Sequence, residues 1–403
     1  MKNGISCILV ALLGFAASTA PAASTFAPRN FTPMGVLVIG EGPAAEGIAA
    51  PPGYAWYKFA NHTHTTYSDG YLTVEERIQA AAADGADSIS IQDHRTQAAC
   101  LDPGFVTVGN CVPMCAEEWG SDGHLGMLNM ELGDPMVGWP VEQAIAGGLS
   151  RGATIIVNHP RNSGGDPWPY DDVQLGIHGV EVWSTLTYFF SGSEASKAWW
   201  DELLAKGRTL FGIGGSDMHM SGNNLSPCDY VLAASPQPDD LQQGIEAGNI
   251  TISADKDSAR CFVWCDANDD GVFETTMGGV VTVPASQTLV LRIEVYSGLG
   301  RTLKVVTKSG IVTTLPVGAG DPWRVDLEAS IGPNTKDYLR AEIPDPADLL
   351  NPMDCITNPI YFNYTPDDAD SDDLGDAIEQ QIGTDLYAAD TDEDGVSDER
   401  SEE

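Results

Sequence analysis

The sequence predicts an α/β fold over residues 54–256, either a barrel or a parallel sheet, followed by a smaller antiparallel β domain over 257–364. Three observations carry that expectation. Short β-prone segments alternate with helix-like ones after Lys58. Polar residues collect where the apolar segments end, as functional groups do at the carboxyl ends of parallel strands. Beyond about Asp257 the helical signal fades, and QTLVLRIEVYS, RTLKVVTKSG, WRVDLEAS and DYLRAEI alternate in period two between Gly, Pro and Asn breaks.

In chain order, MKNGISCILVALLGFAASTAPA has an early cation at Lys2, an apolar stretch from Ile5 to about Ala17, and small residues at Ala20 and Ala22. That pattern predicts a secretory signal peptide over 1–22, hence a secreted or periplasmic chain. The stretch is shorter than a membrane span, and no later run approaches the needed ~20 apolar residues. Residues 24–53 are rich in Pro, Ala and Gly and read as an extended lead-in. Thr73 and Glu76 form a capping box for a helix through RIQAAAADG that Gly85 ends. DSISI then delivers Gln92, Asp93 and His94, TIIV delivers Asn158 and His159, GVEVW carries Glu181, and TLFGIGG delivers Ser216, Asp217 and His219.

The balance of 42% hydrophobic and 19% charged residues is that of a globular protein. A net charge of −38 repels nucleic-acid backbones, so no nucleic-acid partner is expected. Seven cysteines remain once Cys7 is set aside with the leader, and in an oxidising compartment some should pair. Cys111 and Cys115 stand in a CxxxC spacing but lack the second pair that a zinc site needs.

Six of the seven histidines fall at segment ends inside residues 60–220: His62, His64, His94, His124, His159 and His219. Neutral imidazole and carboxylate suit zinc, manganese or iron(II), and strand alternation puts His62 and His64 on one face. One histidine alone is more often a structural hydrogen-bonding group, and His178, outside every motif, keeps that reading.

Taken together, the motifs resemble the PHP (polymerase and histidinol phosphatase) metallohydrolases. HxHTxxSDG stands at His62, Thr63, His64, Thr65, Ser68, Asp69 and Gly70; a strand ending in TDH appears as IQDH, with Gln92 in place of threonine; GxE followed by GH appears with Ala116 for the glycine, giving Glu118 and His124; NHP stands at Asn158, His159 and Pro160; and GSDxH at Gly215, Ser216, Asp217 and His219. The resemblance covers about residues 56–255, including PDDLQQGIEAGNITISA as a closing helix and strand. ITNPIYF, with Asn358, Pro359 and Ile360, resembles in addition a secreted branch similar to carbaryl hydrolase.

The resemblance implies a distorted (β/α)7 TIM-like barrel with two or three divalent ions (Zn, Mn or Fe). His62, His64 and Asp217 would hold one ion, Glu118 would bridge to a second near His124 and His159, and Asp69, His94 and His219 would complete a third or outer position. Asp69, His94, Asp217 and His219 would then also serve catalysis, with a hydroxide bridging the ions attacking the substrate. Arg161, directly after NHP, is a candidate phosphate clamp. The expected substrate is a small phosphorylated molecule and the expected reaction phosphoester hydrolysis. Carbamate, ester or amide hydrolysis at the same site is the alternative, and an inactive calcium-dependent surface-binding module is a third.

That third reading comes from the acidic tail over 365–403. Asp390, Asp392, Asp394 and Asp398, with Gly395, have the oxygen-ligand spacing of a calcium loop. Asp368, Asp370, Asp372, Asp376 and Glu379 repeat it, and with GTD at 383–385 they resemble thrombospondin type 3 calcium repeats. DANDDG at 266–271 begins alike but reads equally well as a β-turn.

Overall fold

The computed structural model describes residues 34–161, 167–170, 176–184, 192–333, 335–345 and 353–364. The leader and the acidic tail, with every calcium-ligand candidate from Asp368 to Asp398, lie outside the described residues. The first half contains β1 (Gly35–Pro43), β2 (Ala55–Thr63), α1 (Val74–Asp84), β3 (Ser88–Ile91), β4 (Val112–Trp119), β5 (His124–Leu128), α2 (Val141–Leu149), β6 (Thr154–Asn158) and β7 (Gly179–Ser184). Then come α3 (Gly192–Ala205), β8 (Phe211–Gly215), β9 (Cys228–Ala233), α4 (Pro238–Glu246), β10 (Ile250–Ser253), β11 (Arg260–Asp266), β12 (Thr275–Thr276) and β13 (Val280–Val281). The chain closes with β14 (Gln287–Tyr296), β15 (Thr302–Thr307), β16 (Gly310–Pro316), β17 (Trp323–Ile331), β18 (Asp337–Pro344), β19 (Met353–Thr357) and β20 (Ile360–Phe362). Among the described residues no helix is long and apolar enough to cross a membrane.

The strands form two sheets. One is antiparallel, in the order β1-β17-β14-β11-β12; the other runs β13-β20-β18-β19-β10-β9-β2-β3-β4-β5-β6-β7-β8, with the β15–β16 hairpin attached to β18. This architecture overturns the expected (β/α)7 barrel. Strand makes up 41% of the structure and helix 15%, and the second sheet is one curled path of 13 strands with only four helices among the described residues. A (β/α)7 barrel needs parallel neighbours joined by helical crossovers. Here β2–β3, β3–β4, β6–β7 and β7–β8 are parallel, but β4–β5, β5–β6, β2–β9 and β9–β10 are antiparallel. The link from β3 to β4 carries only a 3₁₀ turn, Ala98–Leu101.

Past β10 the sheet continues without a break, because Thr251, Ile252 and Ser253 pair with Thr357, Ile356 and Cys355 of β19. At the other end the curl brings the exit of β8 back to β2. Ser216 N donates to Asn61 O at 2.9 Å, His64 N donates to Met218 O at 3.0 Å, and Thr63 bridges Met218.

Local signals hold where the chemistry is local. Thr73 caps α1 with Glu76 reciprocating, and Gly85 ends it at φ 89°, a left-handed turn that needs no Cβ. The period-two pattern of the later strands gives the alternating burial of β14 and β17, whose inward Leu289, Leu291, Ile293, Val325 and Leu327 are fully buried. Cys100 and Cys115 form a disulfide, so Cys115 pairs outside the CxxxC spacing and Cys111 stays a buried thiol. Asp266 folds DANDDG onto itself, accepting the N–H groups of Asn268, Asp270 and Gly271 at 2.7–3.3 Å, an Asx-type turn.

Candidate metal centre

The nine ligand candidates converge although they leave six different strand ends. His62 and His64 come from β2 and its exit, Asp69 from the loop after it, His94 from the exit of β3, Glu118 from β4, His124 from β5, His159 from the exit of β6, and Asp217 and His219 from the exit of β8. Four overlapping groups have ligand atoms within 4.8 Å of one another: His64, Asp69, His94 and His219; His62, His64 and Asp217; His62, Glu118 and His159; and His94, Glu118 and His124.

Glu118 is the hub. Its carboxylate lies 3.1 Å from His62 Nε2, 3.1 Å from His94 Nδ1, 3.1 Å from His124 Nδ1 and 3.2 Å from His159 Nε2. Asp217 Oδ1 stands 3.2 Å from His64 Nε2 and 3.6 Å from His62 Nε2. Asp69, half-exposed at the mouth, reaches His219 Nε2 at 3.1 Å, His94 Nε2 at 3.5 Å and His64 Nδ1 at 3.6 Å.

The backbone is bent to achieve this. His62, Arg95, His159 and Asp217 all have positive φ, at 61°, 54°, 29° and 47°. Non-glycine residues hold that region at a cost of about 1–3 kcal/mol each, and such strain clusters at functional sites. At β2 the register shifts between Ala60 and Thr63, so a kink, rather than plain strand alternation, brings His62 and His64 together with ring centroids 5.1 Å apart.

A second layer holds these ligands, and Glu181 is its centre. Glu181 Oε1 lies 3.0 Å from His62 Nδ1, and Oε2 accepts the backbone N–H of His159 at 2.6 Å. An added Cβ on Gly215 would fall 1.3 Å from Glu181 Oε1, so only glycine lets β8 pass this carboxylate. Asp93 accepts from Thr65 N, Thr65 Oγ1 and Ser68 Oγ at 2.6–2.8 Å, which shapes the loop carrying Asp69. Asn158 Nδ2 donates to Glu118 Oε1 at 3.0 Å. Arg77, buried on α1, donates to His64 O at 3.0 Å and to Asn224. Sequence reasoning placed Glu181 and Asp93 at strand ends without a role; a carboxylate in an otherwise apolar strand, as in GVEVW, was the available signal.

The donor set fits divalent cations. His62 Nε2, both ring nitrogens of His64, His94 Nδ1, His159 Nδ1 and Glu118 Oε2 are buried and make no aligned hydrogen bond, although several stand at ion-pair distance from one another. Buried polar atoms normally find partners. Imidazoles and carboxylates crowded without such alignment form a set that a shared ion would satisfy. Within the cluster these groups charge one another. Burial lowers the pKa of His62, but Glu118, Glu181 and Asp217 outweigh it and hold the imidazole well above its ordinary value. His159 is likewise raised to about 9, against its burial, by the hydrogen bond and charge of Glu118. Against their own burial, His62 and its neighbours hold the Glu118 and Asp217 carboxyls well below the carboxylate range.

Arg161 has partners of its own. Its guanidinium lies over the Trp199 ring at 4.5 Å, and Nη1 donates to Trp168 O at 3.3 Å. Arg95, which the motifs do not single out, follows His94 directly and lines a cavity of about 300 Å³ with Trp119, Trp139 and Tyr170.

Comparison with known proteins gives limited likeness. No family model matches the chain, and no curated protein matches it. Among solved structures, a two-domain protein from Bacteroides vulgatus, described as containing a PHP-like metal-dependent phosphoesterase, is 15% identical with a TM-score of 0.44, covering 79% of this chain and 98% of that one. An amidohydrolase from Chromobacterium violaceum is 15% identical, TM-score 0.31, covering 41% of this chain and 89% of its own. A protein from Bifidobacterium adolescentis described as a metal-dependent phosphoesterase is 14% identical, TM-score 0.27, covering 41% and 88%. All three scores lie below 0.5, so the functional reading rests on the site.

Proposed function

We propose that the chain is a divalent-metal-dependent hydrolase of small phosphoesters, of the PHP kind, with two or three ions held by His62, His64, Asp69, His94, Glu118, His124, His159, Asp217 and His219. One observation carries the reading: these nine residues meet with buried ring nitrogens and a carboxylate oxygen that have no aligned hydrogen-bond partner. Bound ions would supply a water of lowered pKa and positive charge opposite the phosphoryl oxygens.

The chain's own groups set the terms. Glu181 takes His62 Nδ1, which leaves Nε2 as the lone-pair side. The exposure of Asp69 and its neighbour His219 supports a role in carrying a proton to the leaving alcohol at the mouth. Arg95 follows His94 directly and Arg161 stands two residues after His159, which supports them as the candidates to hold a substrate oxygen.

Elemental analysis of the purified chain should find more than one transition-metal ion per molecule; fewer than one would sink the multinuclear centre. Chromogenic phosphomonoesters, phosphodiesters, carboxyl esters and carbamates, assayed with manganese, iron and zinc, then sort the reaction. Turnover of esters or carbamates alone would move it to carbonyl chemistry, and no turnover would favour the calcium-dependent surface module. We further propose export through the 1–22 leader and calcium binding by the acidic tail; truncation before Asp367 should abolish calcium binding and spare hydrolysis.

A further inference from the structure

Away from the histidine cluster, a cavity of about 650 Å³ opens beside the amino-terminal end of β2, between the two sheets. Trp56 and Lys58 line it, six residues before His62 and His64 on the same stretch of chain, a separation of about 20 Å at ~3.3 Å per residue. The volume falls in the range of small-molecule sites, which favour seams between packed units. Trp56 packs against the cores on both sides of this seam.

The lining is aromatic. Trp56 lies 4.5 Å from Phe262 and 6.5 Å from Trp264, and Phe262 lies 5.6 Å from Tyr296, measured between ring centroids. Trp264 is 2% exposed, and its indole N–H has no hydrogen-bond partner.

The lining carries three cations, Lys58, Lys256 and Arg260, and three carboxylates, Asp84, Asp257 and Glu294, but they are not paired one to one. Each carboxylate is already engaged: Glu294 accepts the N–H of Ile48 at 2.8 Å, Asp84 accepts from Asn224 at 2.8 Å, and Asp257 pairs with Lys256. Among the described residues, neither Lys58 nor Arg260 has a carboxylate within ion-pair distance. Arg260 instead lies over the rings of Tyr230 and Tyr296, at 5.6 and 5.2 Å. In a chain with 58 acidic and 20 basic residues, two cations left without acidic partners at one aromatic cavity are a departure from the surrounding field.

We propose that this cavity is a second ligand site that binds a small aromatic anion, its ring among Trp56, Phe262 and Tyr296 and its carboxylate or phosphate on Lys58 and Arg260. Ring stacking and charge pairing act on the same molecule, so recognition requires both the ring and the charge.

The test uses the full chain, with tryptophan fluorescence and titration calorimetry. The probes are indole-3-acetate and phenyl phosphate, with the neutral indole-3-acetamide as the charge control. Saturable binding of at least one anion is expected, with the amide at least ~10-fold weaker and with a similar loss on Lys58→Gln and on Arg260→Gln, each near the ~1.4 kcal/mol of a tenfold change. Lys58 is only half-buried, so its variant should fold even where Arg260→Gln does not. Asp217→Asn, at the metal centre, should leave this affinity unchanged. No saturable binding of either anion at millimolar concentration would overturn the proposal. So would affinity insensitive to Lys58→Gln, and so would affinity lost in Asp217→Asn, which would assign the ligand to the metal centre.

Discussion

The two ends of β2 are built from opposite chemistry. At the carboxyl end, His62 and His64 face Glu118, Asp217 and Glu181, and the backbone leaves ordinary strand geometry to bring them there. At the amino end, Trp56 and Lys58 sit in regular antiparallel pairing with Leu232 and Tyr230 of β9. Six imidazoles and four carboxylates crowd one end, whereas at the other Lys58 and Arg260 stand, among the described residues, outside ion-pair distance of a carboxylate. The strand thus holds two environments apart, one fit for cations and one fit for anions, with Phe59 and Ala60 fully buried between them.

The sharpest way to break this contrast is at the metal end. Asp217→Asn removes a charge from the His62–His64 group and should lower hydrolysis beyond the ~100-fold that loss of a supporting residue costs, with one metal ion fewer by elemental analysis. Glu181→Gln keeps the shape but weakens the hold on His62 and His159, and should cost about 10–100-fold in metal affinity or rate. Arg95→Ala should raise KM about 10-fold with kcat little changed, a value near one lost charge-assisted contact. A larger effect from Arg161→Ala would move the substrate contact to that residue.

Between the ends the expected effect is on stability and not on turnover. Asp229, paired opposite Phe59, is fully buried; burial pushes its carboxyl well above the ordinary range, against the hydrogen bond from Gly214 N. A carboxyl with a raised folded pKa stabilises the fold at low pH, and that contribution is lost as pH rises from the unfolded pKa of ~3.9 through the folded one. Asp229→Asn should therefore match the parent at pH 4 and melt higher at pH 8, by about 1–3 kcal/mol. Equal melting shifts at both values would show that Asp229 is ionised in the folded chain.

What was legible in the sequence was the local and the chemical. The α1 caps, the two-residue period of β14 and β17, and the placement of six histidines at segment ends follow from neighbours in the chain. Strand direction was not legible. The alternation that predicted a barrel does not distinguish β5, inserted antiparallel between β4 and β6, from a parallel member, because periodicity reports burial and not direction. The partners of Arg161 and the second role of Glu181 were equally hidden, since Trp199 and His62 are distant in sequence.

Asn358 of the ITNPI stretch has one further consequence. Its side chain accepts the N–H of Gly212 and donates to the carbonyl of the same residue, both at 2.7 Å, in the manner of a neighbouring strand. Gly212 lies in β8, which leads to Asp217 and His219. A ribosome that has just finished His219 has made every candidate ligand, but not the partner on which the strand leading to Asp217 and His219 leans. The edge of β8 waits for a residue made 146 positions after Gly212, and at about 5–20 residues per second that interval lasts roughly 7–30 s. During it the nascent chain holds all nine candidate ligands but displays an unpaired strand edge at Gly212, the kind of edge that invites mispairing until Asn358 covers it.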